Sequence, residues 1–164
     1  MKRYPENMEE KISLPKERLL NLEKEGRFVF HGSASETQKL TPKQPMIYDN
    51  KLKKQREHGA SCVAATSFAE VAIFRAIINP QNFDFKGYRS SFGVSNGKQE
   101  FTTTKRVFDQ VEGKTGYVHV LDKESFNRFS SMEWRSEEGV KPVEIIQVTS
   151  KDLPENIEIT GEGL

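Results

Sequence analysis

The chain has 164 residues, 25 of them basic and 24 acidic, for a formal net charge of +1. That length suits one domain around a single core, and the near balance of charge removes the overall electrostatic footprint of a nucleic-acid binder while leaving room for a local patch. The lone cysteine, Cys62, rules out an internal disulfide, and no apolar run approaches the ~18 residues of a membrane span. The first residues, MKRYPENMEEK, lack the apolar centre of a signal peptide, so a soluble cytoplasmic protein without a membrane partner is expected. A mean hydropathy of -0.69 suggests long solvated loops around a modest core.

Residues 13–26, SLPKERLLNLEKEG, have the signals of a first helix: Ser13 to cap it, Pro15 in its first turn, Leu19, Leu20 and Leu22 for contacts, and Gly26 to end it. Residues 1–26 are expected to form a helical extension and 27–164 the main body of a single-domain protein. The apolar strand RFVFHG follows at once, then a polar, Lys-rich stretch over 35–59 with Pro42 and Pro45 and no sustained period, which suggests a long loop. ASCVAATS reads as a buried strand. In SFAEVAIFRAIIN, apolar side chains run almost all the way round, and Ser67 with Glu70 predicts a capping box on a largely buried helix that stops at Asn79-Pro80.

Short strand-like pieces fill 81–116, with Asn96-Gly97 as a two-residue hairpin turn. GYVHVLD alternates at strand period, ESFNRFS suits a short turn or helix, a strand centres on 143–148, and the last stretch is expected to be extended. Helix, strand, loop, strand, helix and then mostly strands is an α+β order.

Few residue patterns carry chemistry. Cys62 has His58 four residues away, with His31 and His119 elsewhere, but it sits in a run of small apolar residues and reads as a packed hydrophobe rather than a nucleophile. Three scattered histidines show no metal-ligand spacing. The basic run KLKKQREH, 51–58, is either a solvated segment or a substrate-facing loop that attracts phosphates. Glu133, in SSMEWRSEEGV, is either an exposed ion-pair partner of Arg135 or a carboxylate held at a strand edge beside an aromatic wall, with Glu137 and Glu138 as rivals.

FVFHGS, then LTP (40–42), then CVAATSFAEVAIFRAI (62–77), and later Ser136, Glu138, Val140 and Pro142 in an S-x-E-x-V-x-P segment follow one another in a familiar order. The series resembles the mono-ADP-ribosyltransferase superfamily, in its small bacterial or phage type, including the rifampin-transferase-like and RNA 2′-phosphotransferase-like branches. The resemblance spans most of 27–148 and rests on three short motifs. It implies split antiparallel sheets around an NAD cleft, with an N-terminal helix. It also implies NAD as substrate and transfer of ADP-ribose, with release of nicotinamide, to an unknown acceptor (protein, nucleic acid or small molecule).

By the same resemblance His31 holds a ribose hydroxyl, the Gly32 backbone meets the carboxamide and Ser33 fixes the turn. Thr66, Ser67 and Phe68 line the pocket, and Glu133 sits beside the nicotinamide ribose as the catalytic carboxylate, with His31. Many members stack an aromatic of the second strand on nicotinamide; residues 62–66 have none, which leaves Phe68 or Tyr48. The resemblance equally admits a catalytically silent nucleotide- or protein-binding module, an NAD hydrolase, or an RNA 2′-phosphotransferase that uses Arg75, Arg89 or Arg135.

Overall fold

The computed structural model describes residues 14–85 and 89–161. The expected Ser13 cap and the segment 86–88 lie outside them. Three α-helices occur among these residues: α1 (Leu14–Glu25), α2 (Ala69–Ile77) and the single turn α3 (Lys105–Phe108). The strands are β1 (Phe28–Ser33), β2 (Met46–Asp49), β3 (Lys54–Glu57), β4 (Val63–Thr66), β5 (Ser90–Ser95), β6 (Lys98–Thr104), β7 (Thr115–Asp122), β8 (Asn127–Arg128), β9 (Glu133–Ser136), β10 (Glu144–Thr149) and β11 (Ile157–Thr160). No described helix is long and apolar enough to cross a membrane.

Six strands form one antiparallel sheet in the order β10-β7-β1-β4-β9-β8. A second sheet, β11-β6-β5, pairs β5 with β6 antiparallel and β11 with β6 in parallel. The α+β class expected from the element order is therefore observed. Asn96 and Gly97, both at positive φ, turn β5 into β6 in the left-handed pair of conformations that two-residue hairpins need. The long 35–59 stretch is not structureless: β2 and β3 pair within it as a hairpin, Met46 opposite Glu57 and Asp49 opposite Lys54. ESFNRFS resolves into a 3-10 turn at Lys123–Ser125 followed by the two-residue strand β8.

The main core lies between α2 and one face of the large sheet. Val71, Ala72, Ile73, Phe74, Ala76 and Ile77 of α2 are buried with Phe30, Val118, Val120, Val148 and, from α1, Leu19 and Leu22. β-branched residues cost a few tenths of a kcal/mol each in a helix, whereas full burial of one such side chain contributes about 1.5–3 kcal/mol, so packing decides the conformation here. A second, smaller core, Val29, Leu40, Val63, Ala65, Leu121, Phe126 and Val140, fills the opposite face.

The capping box expected at Ser67 and Glu70 does not form: Phe68 is the N-cap residue and makes no side-chain cap bond. Instead Thr66 Oγ1 accepts the Phe68 amide, Glu23 of α1 accepts the Ala69 amide at 2.6 Å, and Glu70 pairs with Lys16 at 3.0 Å. Tertiary contact from α1 supplies the oxygen that the local sequence was expected to provide. Burial raises the Glu23 pKa, opposed by that same amide.

α2 lies against the sheet at two glycines on adjacent strands. A Cβ on Gly32 would overlap the Ala72 carbonyl, and one on Gly116 would overlap the Ala76 carbonyl one helical turn on. Gly32→Ala is therefore expected to destabilise the protein by about 2–3 kcal/mol in denaturant titration, since the obstacle is helix backbone that has no rotamer to change. Gly93→Ala, in β5 with open space around it, should stay within about 0.5 kcal/mol of the parent.

Candidate functional site

β1 pairs with β7 along its whole length, from Phe28↔Asp122 to Ser33↔Tyr117, but with β4 at one position only, Phe30↔Thr66. Continuing that register would set Gly32 opposite Ala64. The strands part instead, and the His31 imidazole reaches across the gap, with Nδ1 2.8 Å from the Ala64 carbonyl oxygen. Because a carbonyl only accepts, Nδ1 carries the proton and Nε2 keeps its lone pair.

A cavity of about 550 Å³ opens where the strands diverge. His31 and Ser33 line it from β1, Val63 and Ala64 from β4, Glu133 and Arg135 from β9, and Arg75 from α2. The segment 37–47 closes one side, held by two isolated bridges: Leu40 exchanges both backbone hydrogen bonds with Val140, and Lys43 does so with Cys62. The LTP and S-x-E-x-V-x-P segments are thus joined in space, through backbone pairing.

Burial holds His31 neutral. Its pKa falls to about 4, chiefly by desolvation, with the positive charges of Arg75 and Lys43 acting in the same direction and the Ala64 hydrogen bond opposing. Behind it His119, fully buried, accepts the Thr37 amide at Nε2 (3.0 Å) and sits 3.2 Å from the His31 carbonyl at Nδ1. Burial lowers its pKa as well. The rings of the two histidines meet edge to face at 5.9 Å. His119 therefore anchors the cavity wall at Thr37 and the strand carrying His31. Sequence alternation placed it in a strand but gave no sign of this role.

Glu133 stands near the tip of the β8–β9 hairpin. Its amide donates to Ser130 Oγ, and its carbonyl accepts the Phe129 amide at 2.8 Å. Its Oε2 accepts from Arg135 Nε, a contact raised in the sequence as the plain ion-pair alternative. Arg135 is held on three sides: it pairs with Glu133, donates to the His58 carbonyl at 3.0 Å, and lies 3.5 Å over the Phe129 ring. Glu137 and Glu138 are exposed and do not line the cavity, so of the three rival carboxylates Glu133 alone faces it.

Of the remaining expected residues only some reach the cavity. Gly32 turns its open side to α2, and its close approach is to the helix. Ser33 Oγ accepts the Ser35 amide at 3.2 Å and lines the cavity. Thr66, Ser67 and Phe68 form the entry to α2: Thr66 is buried, the Ser67 amide bonds the Met132 carbonyl, and Phe68 packs on the main core. None of these three lines the cavity, and among the described residues no Phe, Tyr or Trp does. Cys62 lines it from a buried position, and burial pushes its thiol pKa up, which disfavours the thiolate.

The lining is cationic. Lys39, Lys43, Arg75 and Arg135 stand against one carboxylate, Glu133, which Arg135 already neutralises. Sequence reasoning named Arg75 and Arg135 among its arginine candidates but gave no position to Lys39 or Lys43; backbone pairing of the 37–47 segment puts them there. Among the described residues no group of three or more His, Cys, Asp and Glu side chains could hold a metal ion. Such a site can orient an anion, present one imidazole acceptor and place one carboxylate.

Comparisons with protein-family models, curated proteins and solved structures found no match for this chain.

The His31 shift has a consequence for stability. The unfolded imidazole takes its proton near pH 6.5 and the folded one near 4, so the unfolded state binds more protons between those values. Stability from this source is complete above pH 6.5 and declines as pH falls towards 4. Denaturant midpoints measured across that window should fall less steeply in His31→Asn than in the parent, and NMR titration of the ring should give a midpoint near 4.

Proposed function

We propose that this protein transfers ADP-ribose from NAD to a nucleophilic acceptor, releasing nicotinamide, on an ADP-ribosyltransferase-like scaffold whose NAD cleft is the cavity between β1 and β4. The observation that carries this reading is that His31 and Ser33 line one cavity together with Glu133, about a hundred residues later in the chain. Its volume falls within the ~300–1,000 Å³ usual for small-molecule sites.

The roles follow from the chemistry of each group. Neutral His31, with Nδ1 committed to Ala64, offers Nε2 to accept a hydrogen bond from a ribose hydroxyl. Lys39, Lys43 and Arg75 supply the positive field that a diphosphate needs. Glu133 Oε2 is engaged by Arg135, which leaves Oε1 as the oxygen to face the nicotinamide ribose.

Transfer breaks the bond between C1′ and the nicotinamide nitrogen, and the electron pair leaves with nicotinamide. The acceptor nucleophile bonds to C1′ and gives up its proton to water. The sugar passes through an oxocarbenium-like state, as in glycoside hydrolysis, and a carboxylate fixed in advance stabilises that charge without reorganising. Binding donor and acceptor in one cavity turns their encounter into an effectively intramolecular step.

Two observations favour a second reading, a nucleotide-binding module without turnover. No aromatic of the lining is available to stack on nicotinamide, and the guanidinium of Arg135 offsets the charge that Glu133 would lend the transition state.

Purified protein incubated with NAD and candidate acceptors is expected to release nicotinamide. Glu133→Gln should lower the rate by about 100-fold or more while calorimetric NAD affinity is retained. NAD binding by the parent protein with no nicotinamide release would assign the silent module, and absence of both binding and release would remove either reading.

A further inference from the structure

We propose that the acceptor is a single-stranded nucleic acid, and that the β2–β3 hairpin is the arm that binds it at the mouth of the cavity. The acceptor role rests on the transferase reading above; the binding site itself rests on the hairpin.

The segment is charged out of proportion to the chain. Between Lys43 and His58 five cations face two carboxylates, an excess of three in a protein whose formal net charge is +1. Arg56 is partly spoken for by Asp49 at 3.0 Å. Lys51, Lys53 and Lys54 are exposed, and none has a carboxylate at ion-pair distance among the described residues.

The loop that carries these lysines is ordered by its own hydrogen bonds. Asp49 accepts the amides of Lys51 and Leu52 at 2.8 and 3.1 Å, and Lys53 takes a left-handed conformation at φ 56°. Among the lysines stand large side chains that the fold leaves in water: Tyr48 at 50%, Leu52 at 57% and Met46 at 52% exposure. Four consecutive strand residues, β3, are exposed with them. The hairpin contributes no side chain to either core cluster, so the burial of apolar groups does not account for its composition.

Its position gives the patch a direction. Met46, Ile47 and His58, at the base of the hairpin, line the cavity, which continues inward to Lys43, Lys39 and Arg75. Lys51, Lys53 and Lys54 at the hairpin turn and Lys39, Lys43 and Arg75 in the cavity that the hairpin base lines therefore all lack a carboxylate at ion-pair distance among the described residues. A polyanion with planar faces matches this patch: phosphates for the lysines and a base for the exposed ring of Tyr48. An acidic peptide matches the charges but offers no such faces. A duplex could meet a two-stranded ribbon in its major groove, but it keeps its sugars and bases stacked outside a cavity of this size. A single strand can turn one nucleotide inward to where C1′ of the donor would lie.

The test uses the intact protein and fluorescence anisotropy, without NAD, on labelled single-stranded RNA and DNA of roughly 12 nucleotides, the matching duplex and a poly-glutamate peptide of equal charge. Single strands are expected to bind more tightly than the duplex or the peptide. With about three to four phosphates neutralised, the salt slope should be about -2 to -3, a loss of roughly 16- to 64-fold between 50 and 200 mM salt.

Replacing Lys51, Lys53 and Lys54 by Gln should weaken strand binding at least about tenfold and leave NAD binding, measured alone by calorimetry, as in the parent. Tyr48→Ala should weaken it at least about fivefold. Equal binding of poly-glutamate, or indifference to the triple substitution, overturns the proposal. NAD binding without strand binding also overturns it and leaves the transferase reading in place. Strand binding without NAD binding keeps the site and removes its role in acceptor delivery.

Discussion

The backbone of α2 touches the backbones of β1 and β7 because Gly32 and Gly116 have no side chains to hold it off. The two glycines lie on adjacent strands beneath Ala72 and Ala76, which are one helical turn apart. With small residues on both sides, the helix sits close on the sheet, and its remaining apolar side chains are buried with Phe30, Val118 and Val148. Its start is set by an oxygen from α1, Glu23, and α1 in turn is tied to β10 through Arg18 and Glu144 at 2.8 Å. The depth and rotation of α2 decide which of its residues leave the core. Arg75, between buried Phe74 and Ala76, is the one that turns to the cavity.

The sheet opens beside this close approach. β1 stays paired with β7 over six positions, while on its other edge it leaves β4 after Phe30↔Thr66. The His31 ring spans the gap that results and replaces the missing ladder bond with a side-chain bond to Ala64. A charged ring there would lie among Arg75, Lys43 and a second histidine with little water to screen it, which is why the neutral form prevails. His119 completes the arrangement from the neighbouring strand by accepting the Thr37 amide. The cavity is thus the place where the antiparallel ladder stops, and its wall is kept in position by neutral imidazoles.

Charge then divides the site into two regions. At the β9 side a carboxylate and a guanidinium cancel within a hairpin that Ser130, Phe129 and His58 brace. At the other side Lys39, Lys43 and Arg75 have no carboxylate at ion-pair distance among the described residues, and the 43–58 segment beside them carries an excess of cations. The proposed donor and acceptor would use these regions differently: the diphosphate and the strand share the unpaired cations, and the ribose alone meets Glu133. Lys51, Lys53 and Lys54 belong to neither core and do not line the cavity, so replacing them removes charge from the hairpin and no side chain from the cavity wall.

Local pattern in the sequence was enough to specify the elements whose cause is local. The apolar faces of α1 and α2, the alternation of β7 and the Asn96-Gly97 turn all appear where periodicity and turn chemistry put them, and the α+β order follows from them. The β2–β3 hairpin escaped notice because its strands are exposed on both faces and carry no alternation of apolar and polar residues. The cap of α2 escaped for the opposite reason: the local candidates Ser67 and Glu70 were present, but Glu23 and Lys16, some fifty residues earlier, made the better contacts. His31 and Glu133 could be singled out as residue types, yet their lining of one cavity depends on β4 lying between β1 and β9. Lys39 and Lys43 enter the cavity only because Leu40 and Lys43 pair with Val140 and Cys62. Those are long-range backbone bonds, and a backbone amide looks the same in every residue, so their partners are fixed by the packed sheet and leave no mark in the order of side chains.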